Sequence, residues 1–351
     1  MTSTAPTRDA PERDKVTRAT LSEVAVRAGV SISTVSKVLN GREGVSVDTR
    51  SRVSDLLREH RYNRRNSSQP RMPLIEVVFD AIDNPWAHEV LVGVERIARE
   101  NGLSLVVTAT EGRDAKSPRW IESVLGRQPA GVILMIADIS ALDKDHLRAR
   151  SIPFVIVDPA GDPTPGVPSI GAANWMGGYL ATQHVLSLGH TRVAAIAGPA
   201  RLVAAMARLS GYRAALAGAG IAERADYVRP GEFTQESGYA AGRALLALPD
   251  RPTAIVTAND VEALGVYEAA AERRLSVPDD LSVVGFDDLE FTRYTGPPLT
   301  TVRQPLKEMA EEAARLVLRL IDEPQLTSTR LELATTLIVR GSTAGPPAVT
   351  P

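Results

Sequence analysis

The chain has 351 residues, a formal net charge of −2, 44% hydrophobic and 23% charged residues, and no cysteine. That length supplies buried core for two or three domains, and the missing cysteines exclude disulfides, thiolate metal sites and cysteine nucleophiles. The N-terminal run MTSTAPTRDAPERDKVTR has no apolar signal segment, and no apolar stretch approaches the ~20 residues of a membrane helix; the expected location is cytoplasmic.

Residues 1–18 are expected to be disordered. Charge is unevenly spread after them. From Arg18 to Asn66 ten cations stand against five anions, so this segment carries +5 and the remainder −7. A basic module on an acidic body implies that one part meets a polyanion and the other does not. Within the module, Thr20-Leu21-Ser22-Glu23 has the form of a capping box. Leu21, Val24, Ala25 and Ala28 then share one helical face. Gly29 suits a left-handed helix end, and Ser31 caps a second helix with Val35, Val38 and Leu39 inward. Asn40-Gly41 ends it, and Ser46 caps a third helix with Val53, Leu56 and Leu57 inward. Three short helices of this kind form a helix-turn-helix head over 19–62. Its second helix presents Ile32, Ser33, Thr34, Ser36 and Lys37 outward near the N-terminus, where hydroxyls approach phosphates and side chains reach base edges.

Residues 63–73, NRRNSSQPRMP, read as a hinge or linker. From Leu74 the texture changes. Apolar runs at 74–80, 103–109, 131–137, 153–158, 192–198, 253–258 and 281–287 alternate with helical patterns such as 86–101, 175–188, 204–218, 235–247 and 261–274. Unbroken β-branched runs between helices are the mark of parallel strands buried on both faces. Ligands bind beyond the carboxyl ends of such strands, which directs attention to Asp80–Trp86, Asp138, Asp158, Gly198–Pro199, Asn259–Asp260 and Asp287–Asp288. The tail, 342–351, is expected to be disordered.

The segment ATLSEVAVRAGVSISTVSKVLNG, followed by VSVDTRSRV and Tyr62, resembles the headpiece of the lactose-repressor (LacI) family. LGHTRVAAIAGP (188–199), RLSGYRAAL (208–216), TAND (257–260), VPDDLSVVGFDD (277–288) and PPLTTVRQP (297–305) resemble its regulatory domain, in the family's order over about residues 19–341. The resemblance implies a helix-turn-helix headpiece and a periplasmic-binding-protein-like (type I) body, 74–341, for effector binding and dimerisation. That body has two doubly wound parallel-sheet halves, with the chain crossing between them three times. By similarity Ile32, Ser33 and Lys37 read bases. Thr20, Ser31, Thr34, Ser36, Asn40, Ser46 and Tyr62 hold the phosphate backbone.

After Tyr62 the chain departs from the family pattern: it has no leucine to wedge into the minor groove and is a few residues short. Either Arg64 or Arg65 enters the groove instead, or the two arginines only touch phosphate. Matched positions in the body give Arg208, Asn259 and Asp287 as polar ligands of a sugar, Phe233 as an aromatic against it, and Asp138 and Gln304 beside it. Trp86 and Trp175, at starts of helices facing the expected cleft, can lie on sugar faces. Trp120 reads as structural, and Asp260, Asp288 and His190 as local hydrogen-bonders.

The rival classes lack their signatures. There is no G-x-G-x-x-G, P-loop or G-x-S-x-G motif, Val92 stands where a zincin motif opened by His88-Glu89 needs a second ligand, and the five histidines lack metal spacing. A sugar-transport protein shares the body but not the head. With these rivals set aside, the resemblance implies a non-enzymatic regulator without cofactor on the nucleoid: a repressor acting as a homodimer on a near-palindromic operator and released by a mono- or oligosaccharide effector, or, as the alternative, a corepressor-dependent regulator binding a purine or another small metabolite.

Overall fold

A computed structural model of the chain describes residues 21–39, 44–59, 71–110, 119–136, 139–158, 166–323, 326 and 330–347. Thr20, Asn40, Tyr62, Arg64, Arg65 and Asp138 lie outside these, as do the expected N-terminal extension and most of the expected hinge. The chain divides into two compact units, one of residues 71–143 and 152–351, the other of the remainder.

The head comprises α1 (Leu21–Ala28), α2 (Ile32–Leu39) and α3 (Val47–Glu59). Gly29 ends α1 with φ +66°, a conformation that costs glycine little. The Ser31 hydroxyl accepts the Thr34 amide at 3.1 Å to start α2, and the Ser46 hydroxyl accepts the Thr49 amide at 3.3 Å to start α3. Leu39, also expected inward, has its side chain outside the described residues; the rest of the inward stripes meet, with Val24, Ala25, Ala28, Val35, Val38 and Val53 in one buried cluster lined by Leu21, Val30, Val45, Leu56 and Leu57.

The body holds two six-stranded sheets. The first contains β1 (Met72–Phe79), β2 (Ser104–Ala109), β3 (Pro129–Met135), β4 (Phe154–Val157), β5 (Ser169–Ala172) and β11 (Arg330–Leu333), ordered β11-β5-β4-β3-β1-β2 and parallel throughout. The second contains β6 (Val193–Ile196), β7 (Val228–Arg229), β8 (Ala254–Thr257), β9 (Ser282–Asp287), β10 (Thr300–Arg303) and β12 (Thr336–Ile338), ordered β12-β10-β9-β8-β6-β7. Only the last pairing made, β10 with β12, is antiparallel.

Helices α4 (Pro85–Glu100), α5 (Arg119–Arg127), α6 (Ala141–Ala149), α7 (Asn174–Ser187), α8 (Val203–Gly218), α9 (Gln235–Leu246), α10 (Asp260–Glu272) and α11 (Leu306–Asp322), with two short 3-10 helices at Ala225–Tyr227 and Glu290–Arg293, complete the described elements. Asn84 caps α4 by accepting the Ala87 amide at 2.9 Å, with Pro85 at the first position. Helices α4 and α11 bury Val90, Val94, Met309 and Val317 against Ile75, Val77 and Ile133 of the first sheet. In the second sheet, Ala194 and Ile196 of β6 face α9 and α10, whereas Val193 and Ala195 face α7 and α8. Both faces are covered, which is why the strands read as continuous apolar runs.

The chain passes between the halves after Ala172, after Arg303 and after Leu333. Two of these passages are tied together: the Ala173 amide donates to the Leu333 carbonyl at 2.9 Å, and the Thr335 hydroxyl donates to the Ala173 carbonyl at 3.2 Å.

Two boundaries need correcting. Met72 and Pro73, assigned to the linker, belong to β1 because the apolar run of that strand starts two residues earlier. The tail is fixed at least to Ala344. Ser342 is fully buried, its hydroxyl accepting from the Thr300 amide at 2.8 Å and donating to the Val283 carbonyl at 2.6 Å. The Ala344 amide donates to the Ser282 hydroxyl at 3.1 Å. Main-chain and hydroxyl pairing holds this polar segment, and apolar patterning gives no sign of it. Among the described residues no helix is long and apolar enough to cross a membrane.

Helices α7 and α8 meet at glycines. A Cβ at Gly178 would strike the Arg208 carbonyl, and one at Gly211 would strike the Trp175 carbonyl and the Tyr179 amide. These are backbone atoms that cannot swing aside. Gly211→Ala is expected to cost about 1–3 kcal/mol through overpacking, read as a lowered urea midpoint at unchanged slope; an unchanged midpoint would show that the crossing tolerates separation.

Candidate functional site

The ends of the two sheets converge on one guanidinium. Arg208, from the first half of α8, is buried at 7% exposure. Its Nε donates to Asn174 Oδ1 at 2.8 Å, one terminal nitrogen to the Ala258 carbonyl at 2.6 Å, and the other to Gln304 Oε1 at 2.9 Å. Asp287 Oδ1 lies 3.5 Å away as its ion-pair partner, and the guanidinium stacks on the Phe286 ring at 3.7 Å. Gln304 then donates its amide to Asp158 Oδ2 at 2.9 Å, so the first half's β4 end is joined to the hub. Each partner occupies a strand end or a passage between halves: Asn174 after the first passage, Gln304 in the second, Ala258 after β8 and Asp287 closing β9. Asp287 and Asp288 both hold positive φ, 113° and 59°, so the chain turns sharply where the carboxylate is delivered.

Burial pushes the Asp287 carboxyl up to about 7; the Arg208 charge draws it down, and the Asp158 carboxylate raises it again. Asp158 is also raised, by removal from water and against the pull of Arg208. Two carboxyls thus compete for one cation. The site offers amide, guanidinium and carboxyl groups in fixed pairs, a set that suits the vicinal hydroxyls of a neutral polyol.

Of the residues expected from the sequence, Arg208, Asp287 and Gln304 are in direct contact, and Phe233 lies 5.8 Å from the guanidinium. Asn259 is buried beside them but caps α10, accepting the Glu262 amide at 2.8 Å and donating to the Phe233 carbonyl at 3.2 Å. Trp86 and Trp175 have other ring partners: Trp86 meets Phe79 edge-on at 6.4 Å, and Trp175, 43% exposed, stacks on Tyr179 at 5.5 Å.

Trp120 is buried. Asp260 accepts from the Thr301 hydroxyl and the Leu289 amide, Asp288 pairs with Arg303 and Arg340, and His190 bonds Thr253 and Ser282; all three act locally. Asn174 was not singled out from sequence, and Asp158 only as a post-strand position. Their roles depend on partners far along the chain.

In the head, Ser31, Ile32, Ser33 and Lys37 are exposed, while Thr34 and Ser36 are half-buried. Ser31 Oγ lies 2.7 Å from Ser33 Oγ and 2.8 Å from Thr34 Oγ1, so the start of α2 carries a knot of hydroxyls with Ile32, 50% exposed, beside it.

Two family models match the chain: bacterial regulatory proteins of the lacI family over residues 20–65, and the periplasmic binding protein-like domain over 182–343. The ribose operon repressor of Escherichia coli (strain K12) is 37% identical over 330 residues, 92% of this chain and 99% of that protein. A transcriptional regulator CelR–cellobiose complex superposes with TM-score 0.72 at 34% identity, covering 93% of this chain and 100% of that one. The lac repressor dimer bound to operator and the anti-inducer ONPF does so with TM-score 0.70 at 29% identity, again over 93% and 100%.

A carboxyl raised in the folded state keeps its proton where the unfolded chain has lost it. Stability should therefore fall as pH rises from about 4, the free Asp value, through about 7, the folded value for Asp287. Urea unfolding between pH 5 and 8 is expected to show a shallower decline for Asp287→Asn than for wild type; parallel declines would remove Asp287 as the titrating group.

Proposed function

The chain belongs to the LacI family of bacterial regulatory proteins, and from that premise we propose that it is a cytoplasmic transcriptional repressor released from operator DNA by a sugar. The observation that carries this reading is the presence, in one chain, of a head displaying hydroxyls and Lys37 on α2 and a body with a buried polar hub between two sheets. The head supplies phosphate and base contacts; two heads from a homodimer span a near-palindromic site. The body senses the small molecule and performs no catalysis.

A neutral sugar fits best. Arg208 is already shared between Asp287 and, through Gln304, Asp158, so a phosphorylated sugar would meet unfavourable charge. Sugar hydroxyls can both donate to the carboxyls and accept from Arg208, leaving no buried group unpaired. Relatives whose names carry ribose or cellobiose support the carbohydrate class. Asn174 and Asp158 join Arg208, Asp287, Gln304 and Phe233 in the proposed site; Trp86, Trp175 and Asn259 would reach the sugar only after changing partners.

A thermal-shift panel of neutral sugars and sugar phosphates, read with gel shifts on a duplex selected from random DNA, tests the reading. A neutral sugar should raise the melting temperature and weaken the DNA complex, and Arg208→Lys and Asp287→Asn should abolish both responses. Equal responses in both variants would place the effector elsewhere.

In the head, Lys37→Ala should relax preference at one base step and cost about 1–3 kcal/mol of discrimination, whereas Arg64→Ala should alter preference only at the operator centre. A uniform loss across all selected sequences would reduce either residue to a phosphate contact.

A further inference from the structure

Glu262 is fully buried in the first turn of α10, on the same stripe as Ala263, Val266, Ala269 and Ala270. An apolar residue is the ordinary occupant of such a position, because a buried carboxyl must recover its lost hydration through hydrogen bonds. Glu262 recovers it from two main-chain amides. Oε1 accepts the Phe233 amide at 3.0 Å, and Oε2 accepts the Ala258 amide at 3.2 Å.

The same turn grips the other side of Phe233: its carbonyl accepts from the Asn259 side chain at 3.2 Å, and that side chain accepts the Glu262 amide at 2.8 Å. Phe233 is thus held at both ends of its peptide unit. It needs holding, since its φ is +61°, a left-handed conformation that strains a bulky residue. Its ring fills the space a Cβ on Gly198 would take and stands 5.8 Å from the Arg208 guanidinium. The loop leaves no slack, for a Cβ on Gly231 would strike Glu262 Oε1 and crowd the Ala197 carbonyl.

We propose that Glu262 is a positioning residue for the effector: it clamps the strained Phe233 loop so that the ring is fixed over the Arg208 site before ligand arrives. The proposal rests on the effector reading above. Burial pushes the Glu262 carboxyl up to about 8, against the Phe233 and Ala258 amides and then the Arg208 charge, which draw it down. The acceptor is therefore strongest, as a carboxylate, at mildly alkaline pH.

The test uses the full chain. Hydrogen exchange read by mass spectrometry over residues 231–235 should accelerate in Glu262→Gln, with the α9 and β9 segments unchanged. Gly231→Ala, whose Cβ would push the Glu262 carboxyl off the Phe233 amide while leaving residue 262 a glutamate, should do the same and covers the case in which Glu262→Gln fails to fold. With D-ribose as probe, both variants should weaken binding ~10-fold, about one charge-assisted hydrogen bond's worth. In a Phe233→Ala background Glu262→Gln should add less than about twofold, since the two act as one unit.

Asp287 and Asp158, both raised, titrate beside the ligand in either protein, so the Glu262 contribution is read as a difference: wild-type affinity should improve relative to Glu262→Gln between pH 7 and 9. Unchanged exchange, or effects of Glu262→Gln and Phe233→Ala that simply add, would overturn the proposal. If wild type takes up no ribose, the reading of the site for that sugar falls, and exchange over 231–235 alone decides whether Glu262 is the clamp.

Discussion

A guanidinium taken out of water must find an acceptor for each of its donors, and the body of this protein is arranged around that demand at Arg208. Four acceptors come from four places in the chain: the start of α7, the end of β8, the end of β9 and the passage into α11. None is near another in sequence. Removing one would strand a buried charge, which costs several times what the intact contact contributes. The hub is therefore a constraint on the whole path of the chain. The ends of β8 and β9 must lie side by side, and both the first and second passages must run past α8.

That geometry requires α7 and α8 to approach more closely than side chains allow. Gly178 lies against the backbone of Arg208 itself, and Gly211 against the backbone at Trp175 and Tyr179. The two glycines give up helix propensity, roughly 1 kcal/mol each relative to alanine. In exchange Asn174 is brought within 2.8 Å of the guanidinium. Packing and polar pairing are here the same feature seen at two scales: the close crossing exists where the buried charge needs its neighbour.

Much of this was legible in the sequence, and the omissions have a common physical origin. Strands β1, β3, β4, β6, β8 and β9 are mostly buried on both faces and stood out as runs, while the half-exposed edge strand β2 stood out through Leu105, Val106 and Val107 alone. By contrast β10 reads TTVR, because Thr301 is buried by bonding Asp260 and Thr300 by receiving the Arg340 amide. Strands β5, β7, β11 and β12 have two to four residues and take their place from pairing alone. Helix α11 was passed over although Leu306, Met309, Ala313, Val317 and Leu320 form its inward stripe.

The same division runs through the site. Arg208, Asp287, Gln304 and Phe233 were found through family-like motifs. Asn174 and Asp158 matter only through contacts spanning 34 and 146 positions. Glu262 did carry a local signal, a charge on an inward helical stripe, but its partners could not be read from spacing.

The hub also sets what a ligand must do to shift the body. A molecule that binds without changing Arg208's partners has no preference between arrangements of the two halves and can move neither. One that supplies its own acceptors to the guanidinium can release Asn174 and Gln304, and with them the two passages those residues anchor. The third passage follows, because Thr335 and Leu333 are bonded to Ala173, next to Asn174. A ligand of a few hydroxyls can therefore reach all three passages through one side chain. The coupling needed is modest, about 1–3 kcal/mol of differential affinity, comparable to one or two charge-assisted hydrogen bonds gained in one arrangement and not in the other. Tightness of binding alone would not suffice; if the effector occupies the proposed site, what matters is which of Arg208's present partners it would replace.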